Sequence, residues 1–254
     1  MSLLDEARKN SAVDALYQQI DAVTPITYQE SSTEDCWSSV TKDRKTEIVG
    51  TPTKQPDAAM AHELLHAKLK IGGFRQYLTI ASMDAKAQLA NLIAGMLDNE
   101  LQHHKIFSEF VAMGFRPEQF YHDNDIDSYR QLRKEMKTMK PTQLPDEFLR
   151  PFVTVIAPGG AGGEDNRAKL RGAIKTHCSD ETWVILVNIE QMIADWKVQP
   201  SLDAKCVLTP VFQLLGGYDN TWLGFSTNFP GDGQFVGQPF TMEQLLAWHA
   251  ENVG

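Results

Sequence analysis

The chain has 254 residues, of which 42% are hydrophobic and 22% are charged, a composition typical of a soluble globular protein. Its formal net charge of −9, without a basic patch, argues against nucleic acid as the main partner. No run of about 18 apolar residues occurs, so no membrane helix is predicted.

The first fifty residues predict a helix followed by two strands. Residues 2–22 carry apolar side chains at helical spacing, which indicates one amphipathic helix. Residues 25–30 and 45–51 are short stretches with β-branched side chains, which predict strands. The second strand comes just before the most informative segment of the chain.

That segment is a predicted helix over residues 57–70, and it contains an H-E-x-x-H motif. A proline at its start and two glycines after its end delimit it. His62 and His66 lie four residues apart, so they share one helical face and can bind a single metal ion. Glu63 can act as a general base toward water held by that metal. The alternative is a pair of core histidines satisfied by hydrogen bonds.

A second, longer helix is predicted over residues 84–113, and polar residues interrupt its apolar stripe near the centre. Glu100 and either His103 or His104 occupy positions where a buried apolar side chain is expected. A buried carboxylate is costly unless a cation or hydrogen-bond donors compensate it, and a metal ion would supply the cation. The alternative is a solvated patch that these residues form with Lys105.

Together these helices resemble the gluzincin class of zinc metallopeptidases, over roughly residues 45–112. In that class the third zinc ligand is a Glu on a later helix, often preceded by Asn, as in Asn99-Glu100. The resemblance implies a Zn²⁺ site formed by His62, His66 and Glu100, with Glu63 as the catalytic base and a peptide or protein as substrate. It also implies that an edge strand beside the H-E-x-x-H helix can hold an extended substrate, and residues 46–50 are the candidate for that strand. The alternative is a strand that only packs.

The chain departs from the gluzincin pattern at one position. Many members carry an Asp four residues after the ligand Glu, where it hydrogen-bonds a ligand histidine; this chain has His104 there. We therefore rank Glu100 first as third ligand, His104 second and His103 third, with Asp98 as a further candidate. Side chains that could stabilise an oxyanion are Tyr77, Tyr121, His122, Tyr129, His177 and Tyr218.

Two other classes of function compete with the hydrolase. The segments Glu63-x-x-His66 and Glu100-x-x-His103 both have the E-x-x-H spacing of ferritin-like di-metal bundles, although such bundles need two further glutamates from other helices. The chain could instead be a non-catalytic regulatory protein whose H-E-x-x-H is a relic or a structural metal site.

The second half of the chain carries fewer signals. Residues 126–140 predict a charged helix, and the proline-bounded residues 141–151 mark a candidate boundary. We expect a zincin-like catalytic region over 1–145 and an α/β region over 146–254, and the alternative is that both pack as one domain. The further predictions are a buried strand at 152–156 leading into a glycine-rich loop at 157–163, a helix at 180–198, loops over 209–237 and a final helix at 241–251.

These elements predict an α+β, zincin-like fold that is mostly helical, with a small β-sheet beside the H-E-x-x-H helix. Cys36, Cys178 and Cys206 fit neither a disulfide framework nor a C-x-x-C metal site, so we expect reduced thiols. The amino terminus shows no basic region followed by an apolar block, so no signal peptide is expected. Both features favour a cytoplasmic location; the alternative is a mature secreted form that has lost its leader, which would have the same amino-terminal sequence.

Overall fold

The computed structural model describes residues 2–34, 36–75, 78–80, 86–121, 125–160, 163–219, 221–225, 229, 231–237 and 241–252. Within these ranges the chain is mostly helical with two small sheets, consistent with the predicted α+β class. The helices are α1 Leu3–Ala7, α2 Ser11–Asp21, α3 Pro56–Ile71, α4 Ala87–Ala112, α5 Asp125–Met136, α6 Pro145–Ile156, α7 Glu164–His177, α8 Asp180–Lys197, α9 Lys205–Leu215 and α10 Met242–Asn252. The strands are β1 Ile26–Glu30, β2 Ser38–Lys42, β3 Lys45–Gly50, β4 Leu78–Ile80, β5 Thr221–Gly224 and β6 Gly233–Val236.

The chain forms two compact units, each assembled from three separate stretches of sequence. The first unit comprises Met1–Phe74, Gln102–Met139 and Thr154–His177. The second comprises Arg75–Leu101, Lys140–Val153 and Cys178–Gly254. Both α4 and α6 contribute residues to each unit. No helix in the described ranges combines the length and the apolar character that a membrane span needs.

The first unit contains a three-stranded sheet in the order β1-β3-β2, against which α3 packs. Strand β3 pairs in parallel with β1 and antiparallel with β2, so the predicted strand at 45–51 is central in the sheet. The expected edge position of this strand is therefore wrong, because both of its edges are already paired. The strand β2, which the sequence analysis missed, lies at an edge. It joins β3 through Asp43 and Arg44, whose positive φ angles of 51° and 60° suit a tight two-residue hairpin turn.

Helices α1 and α2 pack on α3 as well. They replace the single helix predicted over residues 2–22, because the chain breaks at Asn10, whose side chain accepts a hydrogen bond from the Ala12 amide and caps α2. Helix α3 follows its prediction closely and begins with Pro56 at its first position. Its ends are therefore set by local sequence, and its position is set by the sheet and the two short helices.

The second unit holds the antiparallel sheet β4-β5-β6 and most of the remaining helices. The predicted strand at 152–156 is wrong, because these residues complete α6 with buried side chains at helical spacing. The loops predicted over 209–237 are wrong in part, since the end of α9, β5 and β6 fall there. The predicted helices at 180–198 and 241–251 are confirmed as α8 and α10.

Candidate metal centre

Helix α3 is buried on every side at its centre. All ten residues from Ala58 to Ala67 are buried, because the sheet, α1 and α2 pack on the helix and because His103 and Phe120 cover its histidines. The three chemically active side chains of the motif are therefore out of contact with bulk water: His62 is 6% exposed, Glu63 5% and His66 9%. Polar side chains placed this deep need hydrogen-bond partners or a metal ion.

Three imidazoles meet in the first unit: His62 and His66 from α3, and His103 from α4. The Nε2 atoms of His62 and His66 are 3.0 Å apart. The His103 ring centroid lies 5.1 Å from that of His62 and 5.2 Å from that of His66. One nitrogen from each ring falls within 4.8 Å of the others, so the three side chains could hold a metal ion together.

The donor set suits a metal ion of the zinc type. Imidazole nitrogens bind zinc at about 2.0–2.1 Å, which puts tetrahedral ligands about 3.3 Å apart, close to the spacing of the two α3 nitrogens. Burial lowers the pKa of His66 to about 3, the nearby His103 adds to this effect and the hydrogen bond to Gln102 opposes it. His66 is therefore neutral near pH 7, the form that ligates metals. Three protein ligands leave one coordination position open, as in catalytic zinc sites.

Glu63 is bound by a serine that the sequence analysis did not identify. The Ser39 hydroxyl, on β2, donates to Glu63 Oε2 at 2.8 Å, and the Glu63 carbonyl oxygen lies 3.2 Å away as a second acceptor for the same proton. Burial raises the pKa of Glu63 to about 7, while the bond from Ser39 acts in the opposite direction. A carboxyl group with a pKa close to the working pH is suited to general acid–base chemistry.

Two polar side chains hold the outer nitrogens of the histidines. Gln102 Oε1 lies 3.1 Å from His66 Nδ1, and the Tyr121 hydroxyl lies 2.9 Å from His103 Nδ1. The Phe120 ring packs beside them, with its centroid 4.5 Å from that of His62. Each histidine thus has a polar or aromatic neighbour that restricts its ring.

The third histidine of the group, His103, is the candidate that the sequence ranks third, after Glu100 and His104. Glu100 and His104 are buried, as the helical stripe predicted, but neither belongs to the group that could hold an ion. His103 shares its helix face with Phe107 and Phe110, which both contact Phe120. The positions of Phe107 and Phe110, four and seven residues after His103, are the sequence signal that could have ranked His103 higher.

Of the proposed oxyanion donors, Tyr121 contacts the histidine cluster. Tyr218 instead donates to Asp146 in the second unit, at 2.8 Å. Tyr77 and His122 lie outside the described residues. Ser39 was not predicted as a site residue, because no strand was predicted over the residues of β2.

Comparison with known proteins gives no match. No protein-family model, no curated protein and no solved structure is significantly similar to this chain. The resemblance to gluzincins therefore rests on the H-E-x-x-H motif of α3 and on the later helix. At the third position the structure offers the imidazole of His103, where that class has a carboxylate.

Proposed function

We propose that the protein is a zinc-dependent hydrolase that cleaves peptide bonds, with His62, His66 and His103 as metal ligands and Glu63 as the catalytic base. One observation carries this proposal: a buried carboxyl group with a pKa of about 7 lies on the same helix as two of three clustered histidines. This combination of a metal-binding set and an adjacent base is what metal-assisted hydrolysis requires.

A zinc ion bound by the three histidines would supply Lewis-acid activation of water and of the scissile carbonyl. Glu63 lies about 100° around α3 from His62, so it can face the reacting water without being a ligand itself. In this role Glu63 accepts the proton that the attacking water loses and returns it to the leaving amine. The Ser39 hydroxyl holds the carboxylate in place.

The position of β2 supports an extended peptide as the substrate. This strand lies at the edge of the described sheet, and its Ser39 contacts the proposed base. An edge strand offers backbone groups that can pair with an extended chain. A peptide bound there would run beside Glu63.

The competing functions have less support. A ferritin-like di-metal centre needs carboxylates from four helices, whereas α3 packs on a sheet and two short helices, and Glu63 is bound by a strand residue. A structural metal site has no need of a buried carboxyl group beside its ligands. Glu63 is costly to bury, which favours a chemical role.

The test combines metal analysis with a search for cleavage products. Purified untagged protein should hold about one Zn²⁺ per chain. Proteome-wide cleavage patterns should then differ between wild type and Glu63→Gln, with the variant slower by roughly 10²-fold or more while it keeps its zinc. Exposed Glu47 on β3 gives the matched control, Glu47→Gln, which should cleave like wild type. Identical products at identical rates from Glu63→Gln and wild type would refute Glu63 as the base.

A further inference from the structure

We infer that Gln102 and Tyr121 are positioning residues for the metal centre: each binds Nδ1 of one histidine and thereby directs that ring's Nε2 toward the metal position. The inference rests on the proposed metal site, but it does not depend on hydrolysis. It assigns a role to two side chains outside the H-E-x-x-H motif, and it explains how a ligand from α4 is held beside two ligands from α3.

The contact between His66 and Gln102 fixes a tautomer. An amide oxygen can only accept a hydrogen bond, so His66 Nδ1, 3.1 Å from Gln102 Oε1, must carry the proton. In a neutral imidazole the other nitrogen, Nε2, then has a free lone pair. That nitrogen faces His62 Nε2 across 3.0 Å. Gln102 thus prepares His66 to ligate through the nitrogen that already lies in the cluster.

The contact between His103 and Tyr121 acts in the same way. A phenol oxygen can accept a hydrogen bond, so Nδ1–H of His103 can donate to Tyr121 across 2.9 Å. His103 then presents Nε2 to the metal position. Since His103 comes from a different helix than the other two ligands, its orientation depends on such a contact more than theirs does. Hydrogen bonds of this kind to ligand histidines commonly change metal affinity 10- to 100-fold.

The fold holds both positioning residues rigidly. Gln102 precedes His103 on α4 and is 5% exposed, so its amide is buried beside the cluster. Tyr121 follows a short 3₁₀ turn, Pro117–Gln119, and its ring packs edge-to-face on His103. Gly159, at φ +73°, lies so close to this turn that a Cβ there would be 2.5 Å from the Pro117 carbonyl oxygen. The start of the glycine-rich segment therefore supports the turn that carries Tyr121.

The experiment measures zinc affinity by competition with a chelator of known affinity, using the full-length protein. Gln102→Leu and Tyr121→Phe should each bind Zn²⁺ about 10- to 100-fold more weakly than wild type. Gln102→Glu keeps an acceptor for His66 and should restore most of the affinity. Tyr28→Phe is the matched control, because it also removes a buried hydroxyl from the first unit, but at a site that packs on Trp37. It should bind zinc like wild type.

A second experiment reads the protonated and metal-bound nitrogens of His66 and His103 directly in the wild type, without any variant. Imidazole ¹⁵N NMR spectra of the zinc-loaded wild type should show protonated Nδ1 and metal-bound Nε2 for both His66 and His103. Ligation through Nδ1 of either ring would overturn the inference, and so would wild-type affinity in both Gln102→Leu and Tyr121→Phe. In those cases the hydrolase proposal would stand. A wild type that binds no zinc would overturn the metal centre itself, and this inference with it.

Discussion

Helices α3 and α4 both contribute to the candidate metal centre, but the sequence specifies their contributions in different ways. On α3 the two histidines are one turn apart, so the helix alone brings them to one face. On α4 the ligand depends on how that helix packs against α3, and its buried polar residues include several candidates: Asp98, Glu100, His103 and His104. A motif within one helix therefore predicts its own geometry, whereas a ligand from a second helix depends on tertiary packing.

The largest effect is expected from breaking the α3 pair. The double variant His62→Ala, His66→Ala removes two of three ligands, so zinc binding should be lost, and with it the rise in thermal stability that zinc gives the wild type. Equilibrium dialysis with metal analysis measures the first effect, and thermal unfolding with and without zinc measures the second. Full zinc occupancy in the double variant would show that the metal is bound elsewhere.

A comparison of single variants on α4 sharpens the choice of third ligand. His103→Ala should weaken zinc binding by about 10²-fold or more, because it leaves two ligands. Glu100→Gln and His104→Ala should change the affinity much less, since neither belongs to the histidine group. Chelator competition measures all three on the same scale. The opposite order, with Glu100→Gln the weakest binder, would favour the carboxylate ligand that the resemblance to gluzincins implies.

The contrast between the two helices extends to the rest of the fold. Helix α3 was predicted almost to the residue, because a proline marks its start, two glycines follow its end and the motif lies between them. Residues 152–156 are aromatic or β-branched, which favours a strand, but together with Phe148 and Leu149 they place their buried side chains at helical spacing. Five residues span less than two helical turns, so they do not show that period by themselves. Pro151, which as a proline favours a boundary, lies inside α6.

The roles that the sequence did not predict, those of Ser39, Gln102 and Tyr121, all depend on long-range contacts. Strand β2 is an edge strand with mostly polar side chains, and its hairpin turn uses Asp43 and Arg44 without the glycine that usually indicates such a turn. Ser39 was therefore missed with its strand. Gln102 and Tyr121 act on ligand nitrogens through long-range contacts, and nothing in their local sequence reports such contacts.

A third prediction concerns the free energy of unfolding, which the buried Glu63 carboxyl group lowers once the pH is high enough to ionise it. Its pKa is about 7 in the folded protein against an ordinary 4.5, so between these pH values the unfolded chain loses its proton first. The unfolding free energy of metal-free protein should therefore fall as pH rises through this window. Each unit of difference between the folded and unfolded pKa corresponds to about 1.4 kcal/mol, so burial of Glu63 should lower the free energy of unfolding by about 3 kcal/mol at pH 8.

Glu63→Gln tests this directly, because glutamine keeps the shape and cannot ionise. The metal-free variant should be more stable than metal-free wild type at pH 8, by about 1–3 kcal/mol, and the difference should shrink toward pH 4.5. Urea unfolding at several pH values measures it. The exposed-site variant Glu47→Gln should show no such gain. If Glu63→Gln is less stable than wild type at pH 8, the carboxylate has a structural role that the proposed chemistry does not include.

The smallest expected effect comes from the contact between β2 and α3. The Ser39 hydroxyl donates to Glu63 Oε2 at 2.8 Å, and a hydrogen bond to a charged acceptor contributes more than one to a neutral acceptor. Above pH 7 Glu63 is ionised in the folded protein, so Ser39→Ala should lower the free energy of unfolding by about 2 kcal/mol at pH 8. Near pH 5 Glu63 is protonated, and the same substitution should lower it by only about 1 kcal/mol. Urea unfolding of metal-free Ser39→Ala at both pH values measures the two costs.

The control is the same substitution in the Glu63→Gln background. There Ser39→Ala should lower the free energy of unfolding equally at both pH values, because no charge remains to titrate. An equal cost at both values in the wild-type background would mean that Ser39 stabilises β2 and does not hold the ionised base.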